Sequence, residues 1–238
     1  MGDPILILHG WGSTMNGAKY SRIKAILEKK GFVVFTPDLP GFGENSLKKE
    51  AFSFNDYISF VKEFVEKNKL KKVILLGHSF GGRIAIAFTA KYPQLVSKLI
   101  LVSASGIPHK LSTKKSIMKF VVGKTKRLFT LPVIHYFYQP LRKALYKSIG
   151  EMDYYKARNL AETFRNVYQI SIVEDLKKIT KPTLIVWGEN DTFTPLADGL
   201  LMHNSIKNSK LIIVKNEGHK LPYENPDAFA KEVLAFIT

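Results

Sequence analysis

Val73-Ile74-Leu75-Leu76-Gly77-His78-Ser79-Phe80-Gly81-Gly82-Arg83-Ile84-Ala85-Ile86 is the stretch that decides the fold. An apolar run of strand length enters a glycine-flanked serine, and an apolar run of helix length leaves it. Gly77-His78-Ser79-Phe80-Gly81 fits G-x-S-x-G. At ~7% for each fixed position the bare string would arise by chance about 0.08 times in a chain this long, so the string alone is a weak signal. Its setting makes it a strong one. A sharp strand-to-helix turn holds a serine in a strained conformation with its hydroxyl exposed. The flanking positions must then be glycine or nearly so, because a β-carbon would clash in the turn. Ser79 is the candidate nucleophile, and the Phe80 N–H is a candidate donor to an oxyanion.

Outward from this point, short apolar runs alternate with helical patterns. Pro4–Leu8, Phe32–Phe35, Lys72–Leu76, Lys98–Val102, Thr183–Trp187 and Lys210–Val214 lack a period-2 polar face, as strands buried on both sides of a parallel sheet do. Between them, Phe54, Tyr57, Ile58, Val61, Phe64 and Val65 form one helical stripe, and Tyr20, Ile23, Ile26 and Leu27 another that stops at Lys30-Gly31. Asn225-Pro226 opens a last helix whose buried face is read as Phe229, Val233 and Phe236. The alternation predicts an α/β domain with a mostly parallel sheet of about six strands. Ile107–Ile170 breaks the rhythm. It holds no convincing strand, ten aromatics and 13 cations against three acids, and is read as a helical insertion after the fourth strand. The expected division is a core of residues 1–106 and 171–238 with a cap of residues 107–170.

Three further loops carry candidate chemistry. His9-Gly10-Trp11-Gly12 ends the first strand, where glycines let the backbone approach a substrate. A tetrahedral oxyanion wants two N–H donors, and Trp11 is the candidate for the second. Its indole is read as a substrate-binding wall. Asp191 follows the fifth strand and His219 the sixth, so the order is Ser79, Asp191, His219. In that arrangement Ser79 Oγ attacks a carbonyl, His219 takes its proton, and Asp191 orients the imidazole. Glu189, nearer the strand end, is the less favoured candidate for the acid. His9 is read as structural, and His78 as lying on the wrong side of the turn for a base. His109, His135 and His203 lack metal-ligand spacing, so no metal and no cofactor are expected.

Composition narrows the classes. The chain has 238 residues, 45% hydrophobic and 24% charged, which excludes disorder and a fibrous repeat. With no cysteine there is no disulfide, thiolate nucleophile or Cys-ligated metal. Met1-Gly2-Asp3-Pro4 carries no basic leader and no apolar run reaches membrane-spanning length, so a cytoplasmic enzyme with no integral membrane segment is expected. Lys and Arg total 36 against 20 acids, a net +16. Thirty of the 36 are lysine, which argues against nucleic acid, where planar arginine forks are wanted. The excess reads either as general lysine-richness or as steering of anionic substrates or an acidic carrier.

Together, His9–Gly12, Pro37-Asp38-Leu39-Pro40-Gly41-Phe42-Gly43, Gly77–Gly82, Gly188–Pro195 and Gly218-His219 resemble the α/β-hydrolase superfamily in its HGxG-type, serine esterase-like branch. The resemblance covers nearly the whole chain. It implies a helical cap after the fourth parallel strand and a metal-free serine mechanism. Two departures stand out. Only three residues precede Pro4, so the family's N-terminal antiparallel strand pair is missing and Phe32–Phe35 becomes an edge. The nucleophile is serine where dehalogenases and epoxide hydrolases of this fold carry aspartate. A small-molecule carboxylic ester or lactone is the expected substrate. The resemblance also admits C–C bond hydrolysis of β-diketone-like acids, peroxide chemistry, a lyase step like that of menaquinone synthesis, and ligand reception without turnover. Gly81-Gly82-Arg83 is similar to the lyase group.

Overall fold

A computed structural model describes residues 2–12, 15–45, 51–108 and 160–238. Most of the expected cap, residues 109–159, lies outside them, and with it His109, His135 and most of the cap's cations and aromatics.

Six strands form one sheet in the order β2-β1-β3-β4-β5-β6, and every pairing is parallel. The strands are β1 (Ile5–Leu8), β2 (Val34–Phe35), β3 (Val73–His78), β4 (Val96–Val102), β5 (Thr183–Gly188) and β6 (Ser209–Val214). The helices described are α1 (Ser21–Lys29), α2 (Phe54–Lys67), α3 (Phe80–Lys91), α4 (Ala161–Tyr168), α5 (Val173–Leu176), α6 (Leu196–Ser205), α7 (Leu221–Glu224) and α8 (Pro226–Ile237).

Alternation along each strand divides the core in two. Leu6, Leu8, Leu75, Leu99, Leu101, Ile185 and Trp187 point to the face covered by α2, α3 and α6. Their neighbours Ile5, Ile7, Ile74, Leu76, Ile100, Val102, Leu184 and Val186 point to the face covered by α1 and α8. Each fully buried aliphatic side chain contributes about 1.5–3 kcal/mol, which is why these runs cannot be half-polar.

The stripe on α2 begins where Ser53 caps it. The Ser53 hydroxyl accepts from the Asp56 N–H, and the Asp56 carboxylate accepts from the Ser53 N–H at 2.6 Å. Asn225 caps α8 as its sequence suggests, but Phe236 is only partly buried and Ile237 seals that end. The edges differ from expectation at one strand. Lys210–Val214 reads as buried on both faces, yet β6 closes the described sheet and none of its residues is fully buried, with Ile213 43% exposed. At the other edge β2 is two residues long, too short to template pairing with another chain.

The strand order reverses direction between β1 and β3, since the chain leaves β1 for β2 on one side and returns to β3 on the other. A parallel sheet opens a crevice outside the carboxyl ends of its strands at such a point. The segment expected as an insertion leaves and re-enters the core together, for Ile172 N–H donates to the Gly106 carbonyl at 3.3 Å.

Candidate active site at the carboxyl rim

Ser79 stands at the end of β3 with φ 53° and ψ −112°, in the left-handed region that a β-carbon disfavours. Hydrogen bonds hold it there: its N–H donates to the Val102 carbonyl at 3.1 Å, and its own carbonyl accepts from Ser105 and Arg83. The glycines of the motif are sterically required. A β-carbon on Gly81 would sit 2.1 Å from the Leu8 carbonyl oxygen, and one on Gly77 2.5 Å from that of Gly81. Gly10 lies against the nucleophile itself, since a β-carbon there would be 3.3 Å from Ser79 Cβ. The β1 loop therefore meets the turn across the crevice. Among the described residues, nothing accepts from the N–H of Trp11 or of Phe80.

Asp191 is fixed by four bonds. Its Oδ1 accepts from the backbone N–H groups of Phe193 and Thr194, both at 2.9 Å. Its Oδ2 accepts from His219 Nδ1 and from the Thr194 hydroxyl, also at 2.9 Å. Burial alone would raise its pKa. The bond and charge of His219, the Ser103 hydroxyl and the Thr194 N–H outweigh that and lower it to about 2. The carboxylate is therefore ionised and keeps the proton of His219 on Nδ1, which leaves Nε2 as an acceptor. The loop is anchored below by the fully buried Trp187, whose indole N–H donates to the Thr194 carbonyl at 2.9 Å.

Glu189 does different work. It is exposed, and its carboxylate accepts from the Asn216 N–H at 3.2 Å. With Asn190 N–H donating to the Glu217 carbonyl at 2.8 Å, it zips the β5 loop to the β6 loop that carries His219. The structure thus brings Asp191, and not Glu189, to the imidazole. Ser79 Oγ, partly exposed, is not hydrogen-bonded to His219 here; such bonds often close only around substrate.

Three neighbours complete the site: sequence reading missed Thr194 and the partners of His78, and read His9 as structural, as it is. Thr194 Oγ1 lies 3.2 Å from His219 Nδ1 as well as against Asp191, and its only signal was its place three residues on. His78 bonds to the His219 backbone and to Tyr20, contacts no local pattern announces. His9 is fully buried, with Nδ1 bonded to the Gly10 carbonyl and Nε2 accepting from the Leu39 N–H, so its ring fastens the β1 loop. Burial lowers its pKa and keeps it neutral.

Trp11 forms an aromatic wall beside Ser79. Its ring meets Phe42 and Phe80 at 5.1 Å and Phe164 of α4 at 5.2 Å, all edge to face. Its indole N–H is buried without a partner among the described residues. A separate cleft of about 460 Å³ between α2, α3 and α5 includes none of these residues. Arg83, nearly buried, binds the Val167 carbonyl and lies over the Tyr168 ring, tying α3 to α4. Among the described residues, no three potential metal ligands gather, and no helix is long and apolar enough to cross a membrane.

Comparison with known proteins agrees with this fold. The α/β-hydrolase fold family matches residues 3–147, and a TAP-like protein family matches residues 158–238. A 2-hydroxy-6-oxononadienedioate/2-hydroxy-6-oxononatrienedioate hydrolase of Pseudomonas putida is 29% identical across 99% of this chain and 88% of its own. That name describes a keto diacid and not the ester or lactone expected from sequence. Among solved structures, the meta-cleavage product hydrolase CumD of Pseudomonas fluorescens superposes with a TM-score of 0.71 at 22% identity, covering 99% of this chain and 90% of that one. A bromoperoxidase of Bacillus anthracis reaches 0.76, also at 22%, covering 99% and 92%. With its parallel sheet, serine turn and matching family over more than half its length, the chain belongs to the α/β-hydrolase family.

Proposed function

We propose that the protein is a serine hydrolase that cleaves a carbon–carbon bond next to a ketone in a small keto acid. Chain-long similarity to a hydrolase named for 2-hydroxy-6-oxononadienedioate carries the choice of substrate class. The bonded Asp191–His219 pair at the rim that bears Ser79 carries the chemistry. His219 Nε2 removes the Ser79 hydroxyl proton as Oγ bonds to the ketone carbon, and the N–H groups of Phe80 and Trp11 receive the resulting oxyanion. The C–C bond then breaks, and its electron pair passes to the leaving carbon. That carbon is a tolerable leaving group only if a conjugated second carbonyl spreads the charge, so the substrate must be diketo-like. His219 returns the proton to it, and water hydrolyses the acyl-enzyme by the same route. Residues 107–170 act as the cap of this site, with Phe164 forming one wall against Trp11.

A second reading, hydrolysis of carboxylic esters or lactones, is favoured by the wall of Trp11, Phe42, Phe80 and Phe164, which suits an uncharged acyl group. Purified protein assayed on a synthetic 2-hydroxy-6-oxo-dienoic acid and on a p-nitrophenyl acyl ester series separates the two. The first reading expects kcat/KM for the keto acid to exceed that for every ester. Faster turnover of an ester overturns it in favour of the second.

A further inference from the structure

His78 lies beside the nucleophile yet faces away from its chemistry. It is 1% exposed, and its two ring nitrogens reach across the fold. Nε2 is 2.8 Å from the backbone carbonyl of His219, 141 residues away, and Nδ1 is 2.6 Å from the hydroxyl of Tyr20, which is itself fully buried. A carbonyl can only accept, so Nε2 carries the hydrogen. Nδ1 is then the acceptor, and Tyr20 donates to it. The rings of His78 and His219 are 4.9 Å apart, and Tyr223 packs edge-on to both His78 and Tyr20. Gly10 touches the same imidazole, since a β-carbon there would lie 3.2 Å from Nδ1. The ring therefore abuts three things at once: the serine turn, the glycine before Trp11 and the backbone of His219.

We propose that His78 is a positioning residue, whose Nε2–H grips the His219 carbonyl while Tyr20 locks its tautomer, so that the base is held in register with Ser79. This rests on the roles of Ser79 and His219 proposed above. Asp191 fixes the far side of the His219 imidazole but not the height of its backbone above the serine turn. The His78 bond supplies that second constraint. It matters because a misplacement of about 1 Å can cost about 10²-fold in rate.

The test is the rate at which a fluorophosphonate labels Ser79, resolved into its saturating rate and half-saturating concentration. It reads activation of the serine without requiring the natural substrate. In His78→Gln the side-chain amide places an N–H where Nε2 stood, whereas in His78→Asn it falls short of the His219 carbonyl. His78→Asn should lower the saturating rate about 10²-fold with the half-saturating concentration little changed. His78→Gln should restore most of the rate, and Tyr20→Phe should fall between them. Equal rates for the Asn and Gln variants at matched folded fraction overturn the positioning role. If the Asn variant does not fold, wild-type labelling rates in both His78→Gln and Tyr20→Phe support only the Gln half of the idea and overturn the tautomer lock. Wild-type protein that is not labelled at Ser79 would instead sink the serine mechanism.

Discussion

The two ends of the parallel sheet use polar residues in opposite ways. At the carboxyl end, Asp191, Thr194 and His219 are bonded to one another and to the backbone, while Ser103 Oγ is buried with no partner among the described residues. Three of the four described non-glycine residues with positive φ, namely Ser79, Ser103 and Asn216, follow strands at this end. At the amino end, the chain enters its strands through Lys29-Lys30, Lys67, Lys69, Lys71-Lys72, Lys177-Lys178 and Lys207, all exposed. Those lysines sit near helix carboxyl termini, where cations offset the helix dipole. Buried polarity and most of the positive-φ residues gather at the rim that bears Ser79, while solvated charge gathers at the amino end, where Lys69 is the fourth such residue at φ 55°. Part of the +16 thus belongs to the scaffold.

Substitutions at the two ends should accordingly separate activity from stability, and Ser79 should show the largest effect. Ser79→Ala should lower kcat by about 10⁵-fold or more without unfolding the protein. Ser79→Gly should be equally inactive yet about 1 kcal/mol more stable, because glycine relieves the positive φ. Urea melts of the three proteins check the second part, and an unchanged midpoint in the glycine variant would mean the turn is unstrained.

Within the rim, Asp191 and Glu189 form a sharper contrast. Asp191→Asn keeps the shape but misplaces the proton of His219, and should cost about 10³–10⁴ in kcat. Glu189→Gln only weakens the clip between two loops, and should stay within about tenfold of wild type, the order expected for one exposed hydrogen bond. Comparable losses in both would transfer the acid's role to Glu189 and refute the geometry described above.

Acid should expose the rim before the amino end. Burial first, and then the neighbouring His219, depress the pKa of His78 from its ordinary 6.5 to about 3. Between those values the unfolded chain binds a proton that the folded protein refuses, so stability falls as pH drops. The slope is at most about 1.4 kcal/mol per pH unit for each such histidine, and His9 adds in the same direction. Asp191 is depressed as well, so its contribution is present above about 3.9 and lost as pH falls towards 2. Urea midpoints from pH 7 to 4 should decline, and His78→Gln should flatten the decline. A flat wild-type curve would mean that these rings are not held neutral.

The smallest effect belongs to the amino end. Lys71→Gln with Lys72→Gln should change stability by no more than about 0.5 kcal/mol. The double variant should leave kcat/KM unaltered for neutral and anionic substrates across a salt series. Loss of rate for the anionic substrate alone, at low salt, would move those lysines from scaffold to steering.

Sequence by itself determined the fold, because that information is local. Buried strands are continuous apolar runs, helices carry a 3.6-residue stripe, and the Ser79 turn needs glycines within two or three residues of it. The edge position of Phe32–Phe35 came instead from the family resemblance, and β2 does lie at an edge of the described sheet. What tertiary structure decided are matters of distance between residues remote in the chain. Sequence could only rank Asp191 above Glu189; the folding of the β5 loop over Trp187 aims the one at His219 and the other at Asn216. The partial exposure of β6 follows from its place at the edge of the described sheet, which its own sequence does not encode. His78 looked idle because its partners, Tyr20 and the carbonyl of His219, stand 58 and 141 residues away. A hydrogen bond acts over 3 Å of space and leaves no period in the chain, so only a folded backbone can reveal it.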